Sequence, residues 1–143
     1  HRTAIDEGGE TIAVLGTPLN KATPVGNRDL QEFIKRKHLA VSQFAPGSSI
    51  QRHFFPARNR TMALICQASI IIEAGDGSGT LSQGWEALRL GRPLFITPEV
   101  VEREYLEWPV QMLEYGACIL EDIEDVLEVL PPPGSSLCFE HAL

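Results

Sequence analysis

A chain of 143 residues with 43% hydrophobic and 22% charged side chains has the length and balance of one folded domain with one core. It holds no apolar run near the roughly 20 residues of a membrane-spanning helix and no signal peptide ahead of Asp6 and Glu7, so a cytoplasmic protein with no membrane attachment is expected. The net charge of −7 is uneven, with eleven Lys/Arg against eight Asp/Glu in residues 1–98 and Arg103 alone against eleven Asp/Glu in residues 99–143; a non-specific polyanion binder is usually basic throughout, so any phosphate site has to be local.

Five short runs read as strands in chain order: Thr11–Leu15, Leu39–Phe44, Ser69–Ala74, Pro93–Thr97 and Ala117–Leu120. Several are apolar without alternation, the pattern of strands covered on both faces. Helical stretches lie between them. Asn27–His38 has Asn27 as a cap and Leu30, Phe33 and Ile34 on one face. Arg58–Gln67 carries Met62, Leu64 and Ile65, and Thr80–Leu90 closes at Gly91. Val101–Tyr115 is interrupted near Pro109, and Asp122–Leu130 turns Ile123, Val126 and Leu127 inward before three prolines. Strand alternating with helix at this spacing predicts an α/β fold, a Rossmann-like three-layer domain with a largely parallel sheet. Residues 1–130 read as that domain and residues 131–143 as a C-terminal tail with a mobile end. Cys66, Cys118 and Cys138 are too widely spaced for a zinc pattern, and the first two read as small core residues of a protein in a reducing compartment.

Ligands in parallel α/β sheets bind beyond the carboxyl ends of the strands. The most informative segment there is Ser69–Gly79 running into a helix. After Glu73 and Ala74 come Gly75, Gly77 and Gly79, with Ser78 and Thr80 opening the next helix. Glycines let a ligand approach the backbone, and the unpaired N–H groups of a new helix favour an anion. The competing reading is a tight capped turn that binds nothing. The second segment is Phe54-Phe55-Pro56-Ala57-Arg58-Asn59-Arg60. Arginine grips phosphate through a planar fork. Alternatively, Arg58 or Arg60 pairs with Glu73 or Asp76 inside the fold, and one such pair is expected. Phe54 and Phe55 serve either as base-stacking rings or as a buried staple. No Walker-type sequence, nucleophile elbow or clustered His/Cys set is present, so no catalytic residue, metal or cofactor is assigned.

In these motifs the chain resembles the DNA-processing protein A family (DprA, also called Smf), within the wider SMF/DprA–LOG group. The resemblance runs from His1 to about Leu130. It rests on Gly8–Gly16, Pro24–Leu30, Val41–Gly47, Phe55–Arg60, Glu73-Ala74 with Ser78–Leu81, Ala87, Gly91–Phe95 and Gly116-Ala117. It implies single-stranded DNA binding on a Rossmann-like domain, with loading of a recombinase during natural transformation. By position, Arg58, Asn59, Arg60, Ser78, Gly79 and Thr80 would line the pocket. The family's first strand and its Gly-Ser-Arg loop would precede His1, so the chain reads as N-terminally incomplete, which makes a homodimer or pairing with another chain plausible. Pro98–Tyr115 departs from the family pattern with an acidic segment containing Trp108-Pro109, which puts the cellular task in doubt.

Two alternatives stay open. One is a LOG-like nucleotide phosphoribohydrolase, although Ser82 and Gln83 stand where those relatives carry paired Glu, leaving Glu86 one turn on. The other is a small-nucleotide sensor. The ligand is thus single-stranded DNA or a nucleotide, bound by Arg58, Asn59, Arg60, Gly75, Gly77, Ser78, Gly79 and Thr80.

Overall fold

The computed structural model describes residues 1–131. The expectation of a mobile C-terminal end and the residue Cys138 lie outside the described residues. Five strands appear, each inside a predicted run: β1 Ile12–Val14, β2 Leu39–Val41, β3 Ser69–Ile71, β4 Leu94–Ile96 and β5 Cys118–Ile119. Helices α1 Arg2–Asp6, α2 Arg28–Lys37, α3 Phe54–Ile65, α4 Gly79–Arg89, α5 Pro98–Val101, α6 Trp108–Glu114 and α7 Ile123–Val129 alternate with them. Every strand pair is parallel, as the α/β reading requires, and the ladders form two sheets, β1-β2 and β3-β4-β5. The contacts divide the chain into two compact units, His1–Arg58 and the part from Asn59 onward.

In the first unit, β1 and β2 pair in the register Ile12 with Leu39 and Val14 with Val41. Between them, α2 buries Ile34 and Gln31, while Lys35, Arg36 and Lys37 complement the negative end of its dipole. Asn27 stands at the N-cap, but its side chain makes no cap bond, because a 3-10 turn over Val25–Asn27 leads straight into the helix. The polar residue Gln31 is buried because it is satisfied: its amide donates to the carbonyls of Leu19 and Lys21. Thr17 also donates to the Lys21 carbonyl, and Ser42 donates to that of Thr17. These bonds fix the loop after β1 without regular structure.

The second unit is built on Ile71, Ala74, Leu94, Ile96, Val100, Leu106, Trp108, Met112 and Ala117. Only the central strand β4 is buried at all three positions; β3 alternates and β5 is exposed. Cys118 is therefore exposed and Cys66 half-buried, contrary to their reading as core residues. Burial nonetheless pushes the Cys66 thiol above its ordinary pKa, because the thiolate loses hydration.

Helix ends follow local chemistry. Gly91, at φ +64°, closes α4: its N–H reaches the Leu88 carbonyl and that of Arg92 reaches Ala87, the paired pattern of a Schellman stop. Pro109 does not break a helix but sits in the first turn of α6, where a missing N–H costs nothing; the interruption comes earlier, between α5 and Trp108. In α7, Asp122 and Asp125 form a reciprocal capping box. Of its three apolar residues expected inward, Val126 is buried, whereas Ile123 and Leu127 are 56% and 59% exposed.

Candidate anion site at the glycine loop

Helix α3 starts at Phe54, four residues before the predicted start. Pro56 is its third residue, still inside the turn whose N–H groups lack helical partners, so the proline opens the helix rather than preceding it. Arg58 and Arg60 thus lie in the second turn, where the positive end of the helix dipole opposes their charge much less than in the first. Both rings of the aromatic pair ahead of them make contacts within the first unit. Phe54 stacks on Phe44 with centroids 3.7 Å apart and takes the edge of His53. Phe55 lies so close to Gly16 that a Cβ there would meet its ring at 2.8 Å. The staple reading fits Phe54, whereas Phe55 stays 38% exposed and is not a buried staple.

Asn59 is 6% exposed, and its amide Nδ2 donates to the carbonyl of Gly79 at 2.9 Å. The first turn of α4 is thereby tied to α3. Successive residues of a helix point about 100° apart, so Arg58 and Arg60 diverge from Asn59 to either side. They are not two arms of one clamp. Arg58 belongs to the first unit, where its guanidinium donates to the Val14 carbonyl at 3.2 Å, and partial burial lowers its pKa. Arg60 is exposed and has no ion pair among the described residues.

The loop itself is compact. The Ser78 N–H donates to the Gly75 carbonyl at 3.1 Å, and the Leu81 N–H to the Ser78 carbonyl at 3.1 Å. Ser78 is the N-cap of α4, its Oγ accepting from the Thr80 N–H at 3.2 Å. That uses the Thr80 N–H, which the sequence assigned to a ligand. Among the described residues, the N–H groups of Asp76, Gly77 and Gly79 have no partner. Gly77 needs its glycine for conformation, at φ +74°. Gly75 and Gly79 do not: neither has a positive φ, a Cβ on Gly75 would meet nothing within 4 Å, and one on Gly79 only the Asn59 amide at 3.9 Å.

Glu73 is held by a residue that sequence reasoning did not place here. Arg103 donates to both of its carboxylate oxygens, at 2.5 and 2.7 Å. The expected partners Arg58 and Arg60 are replaced because β3 and β4 are neighbours, which puts the segments leaving them side by side. The hydrogen bond to Arg103 holds the Glu73 carboxyl below its ordinary pKa and raises that of Arg103. A usable clue was in the sequence: Arg103 is the single basic residue from position 99 onward. Other candidates go elsewhere. His1 Nδ1 lies 2.6 Å from Thr11 Oγ1, and Glu86 pairs with Arg89 at 2.6 Å. Among the described residues, no group of His, Cys, Asp and Glu could hold a metal ion.

Comparison with known proteins gives a consistent picture. The sequence model of DNA recombination-mediator protein A matches residues 1–131. The DNA processing protein DprA of Streptococcus pneumoniae is 35% identical over 127 residues, covering 89% of this chain and 45% of that protein. Protein Smf of Escherichia coli is 30% identical over 131 residues, 91% of this chain and 35% of that protein. The chain thus spans less than half the length of these relatives. The X-ray structure of the Streptococcus pneumoniae protein superposes with a TM-score of 0.81 at 34% identity, over 92% of this chain and 46% of that one. A DNA processing protein A of Helicobacter pylori, described for its single-stranded DNA binding mode, shares the fold with a TM-score of 0.71 at 24% identity, over 82% of this chain and 54% of that one.

Proposed function

Because the chain belongs to the DNA recombination-mediator protein A family, we propose that it binds the phosphate backbone of single-stranded DNA at the Gly75–Thr80 loop. The observation that carries this is the pair Gly75 and Gly79. Neither packing nor backbone conformation requires glycine at these positions. What remains is close approach of a ligand to the backbone, beside the unpaired N–H groups of Asp76, Gly77 and Gly79. The positive end of α4, eleven residues long, adds to their attraction for an anion.

Each residue has a role in this reading. Gly75, Gly77 and Gly79 open the approach. Ser78 caps α4 and keeps its hydroxyl proton for a phosphate oxygen; the Thr80 hydroxyl is a second donor. Asn59 sets the position of Gly79 and is a positioning residue rather than a ligand contact. Arg60 supplies an exposed charge, while Arg58, the last residue of the first unit, is kept as a candidate phosphate contact of that unit alone. The mononucleotide reading uses the same donors. The phosphoribohydrolase reading gains nothing from the geometry, since Glu86 is engaged by Arg89. Cytoplasmic location, a recombinase partner and a homodimer are part of the same proposal, carried by family membership alone.

Fluorescence anisotropy with labelled oligo-dT at low salt tests the reading. The logarithm of the affinity should fall linearly with that of the salt concentration as counterions are released. Arg60→Ala should weaken binding by roughly 1.5–3 kcal/mol if its contact is charge-assisted, with Arg58→Ala measured beside it. Asp76→Ala should strengthen binding or leave it unchanged. No binding even near 50 mM salt, where phosphate contacts are strong, would sink the proposal. A melting point raised by one mononucleotide without DNA affinity would favour the sensor reading instead.

A further inference from the structure

In the second unit the strands lie in the order β3-β4-β5 and all run parallel. Their carboxyl ends share one edge of the sheet, and the segments leaving them line that edge in the same order. The first is the glycine loop. The second, after β4, presents Glu99, Glu102, Glu104 and Glu107, all exposed. The third, after β5, presents the exposed Glu121 and Asp122 at the start of α7. Arg103, the one cation of the second segment, is engaged on both nitrogens by Glu73. Donors are therefore concentrated at β3, where the exposed Asp76 is the one carboxylate without an ion pair, while the loops beyond it carry six exposed carboxylates and no free cation among the described residues. Adjacent strands are about 5 Å apart, so this rise in negative charge occurs within a Debye length, about 10 Å at 0.1 M salt.

We infer that the site is one-sided: a bound strand enters and leaves on the α3 side of the glycine loop and is kept off the β4 and β5 loops by their carboxylates. This rests on the DNA-binding reading above and adds to it a direction and a charge-based limit on the strand's path. The Glu73–Arg103 pair marks the boundary. It removes the one arginine that would otherwise attract phosphate onto the acidic segment. Tyr105, 72% exposed in the middle of that segment, offers an aromatic face that the strand does not reach.

The test compares variants of equal character at opposite ends of the sheet. Glu102→Gln with Glu104→Gln removes two carboxylates from the carboxyl edge. Glu114→Gln removes one from the end of α6, which leads into the start of β5 at the opposite edge. With labelled oligo-dT at low salt, the double variant should bind more tightly, by about two- to fivefold per carboxylate removed, and the gain should disappear at high salt. Glu114→Gln should leave affinity unchanged, as should Tyr105→Ala. Wild-type chain that does not bind oligo-dT at all counts against the DNA-binding reading itself. Wild-type binding with no gain in the double variant, or an equal gain per charge in Glu114→Gln, overturns the one-sided path. So does a loss of about tenfold or more in Tyr105→Ala, the size expected when a base stacks on a removed ring.

Discussion

The amide of Asn59 is buried and donates to the carbonyl of Gly79, so one side chain of α3 sets where α4 begins. Asn59→Ala should lower stability by about 1–3 kcal/mol, the usual effect of losing a buried hydrogen bond and its packing. Oligo-dT affinity should fall as well, since the N–H groups of Gly77 and Gly79 lose their fixed direction. Urea denaturation together with anisotropy checks both. A variant with unchanged midpoint and unchanged affinity would show that the bond positions nothing.

Gly75 and Gly77 are expected to separate binding from folding. Gly77 lies at φ +74°, where a side chain is strained, so Gly77→Ala should destabilise by about 1 kcal/mol or more. Gly75 has neither that conformation nor a neighbour within reach of a new Cβ. Gly75→Ala should therefore leave the melting temperature in place, or raise it slightly, while weakening oligo-dT binding. Equal affinity of Gly75→Ala and wild type would remove the close approach on which the proposed site depends.

The strands were legible because apolar runs bounded by glycine, proline and polar residues leave little alternative, and all five observed strands fall inside the predicted runs. Element starts were less legible where proline was involved. Pro109 read as an interruption and the helix after Pro56 as starting only at Arg58, yet both prolines sit in first helical turns, where the missing N–H is harmless. The burial of Ile123 and Leu127 was overestimated because helical periodicity finds an apolar face without saying how much of it is covered. At the site, the glycine loop and its serine cap could be read locally from their spacing. The Glu73–Arg103 pair could not, since it joins residues 30 positions apart through the adjacency of β3 and β4.

That pair should be visible in a titration. Glu73 has a folded-state pKa below its ordinary value of 4.5 because Arg103 stabilises the charged form. A lowered carboxyl pKa contributes stability above the unfolded value and loses it as pH falls through the folded value. The contribution is thus complete at neutral pH and disappears only in acid, below about 4.5. Both groups are exposed to solvent, so the contribution itself is small and screened by salt. Arg103→Gln should return the Glu73 titration to the ordinary carboxyl range, as followed by NMR of the side-chain carbonyl. An unshifted titration in the variant would mean that the pair does not persist in solution.

Gly84 poses a question of sign. It lies inside α4, where alanine is favoured over glycine by about 1 kcal/mol. A Cβ there would stand 3.1 Å from Ile71 Cδ1, 3.1 Å from Met112 Cε and 3.2 Å from Met112 Sδ. Those distances are a few tenths of an ångström too short, and overfilling a packed core costs about 1–3 kcal/mol. Methionine is the most adaptable core side chain, but Met112 is fully buried and has little free space to move into. Packing should therefore outweigh propensity, making Gly84→Ala destabilising by about 1 kcal/mol. Shortening Met112 removes two of the three close contacts. In a Met112→Ala background, itself destabilised by about 2–5 kcal/mol, Gly84→Ala should become stabilising by about 1 kcal/mol as the helix term is released. A double-mutant cycle by urea denaturation reads the reversal directly. If Gly84→Ala has the same effect in both backgrounds, the approach of α4 to Met112 is not what holds a glycine at this position.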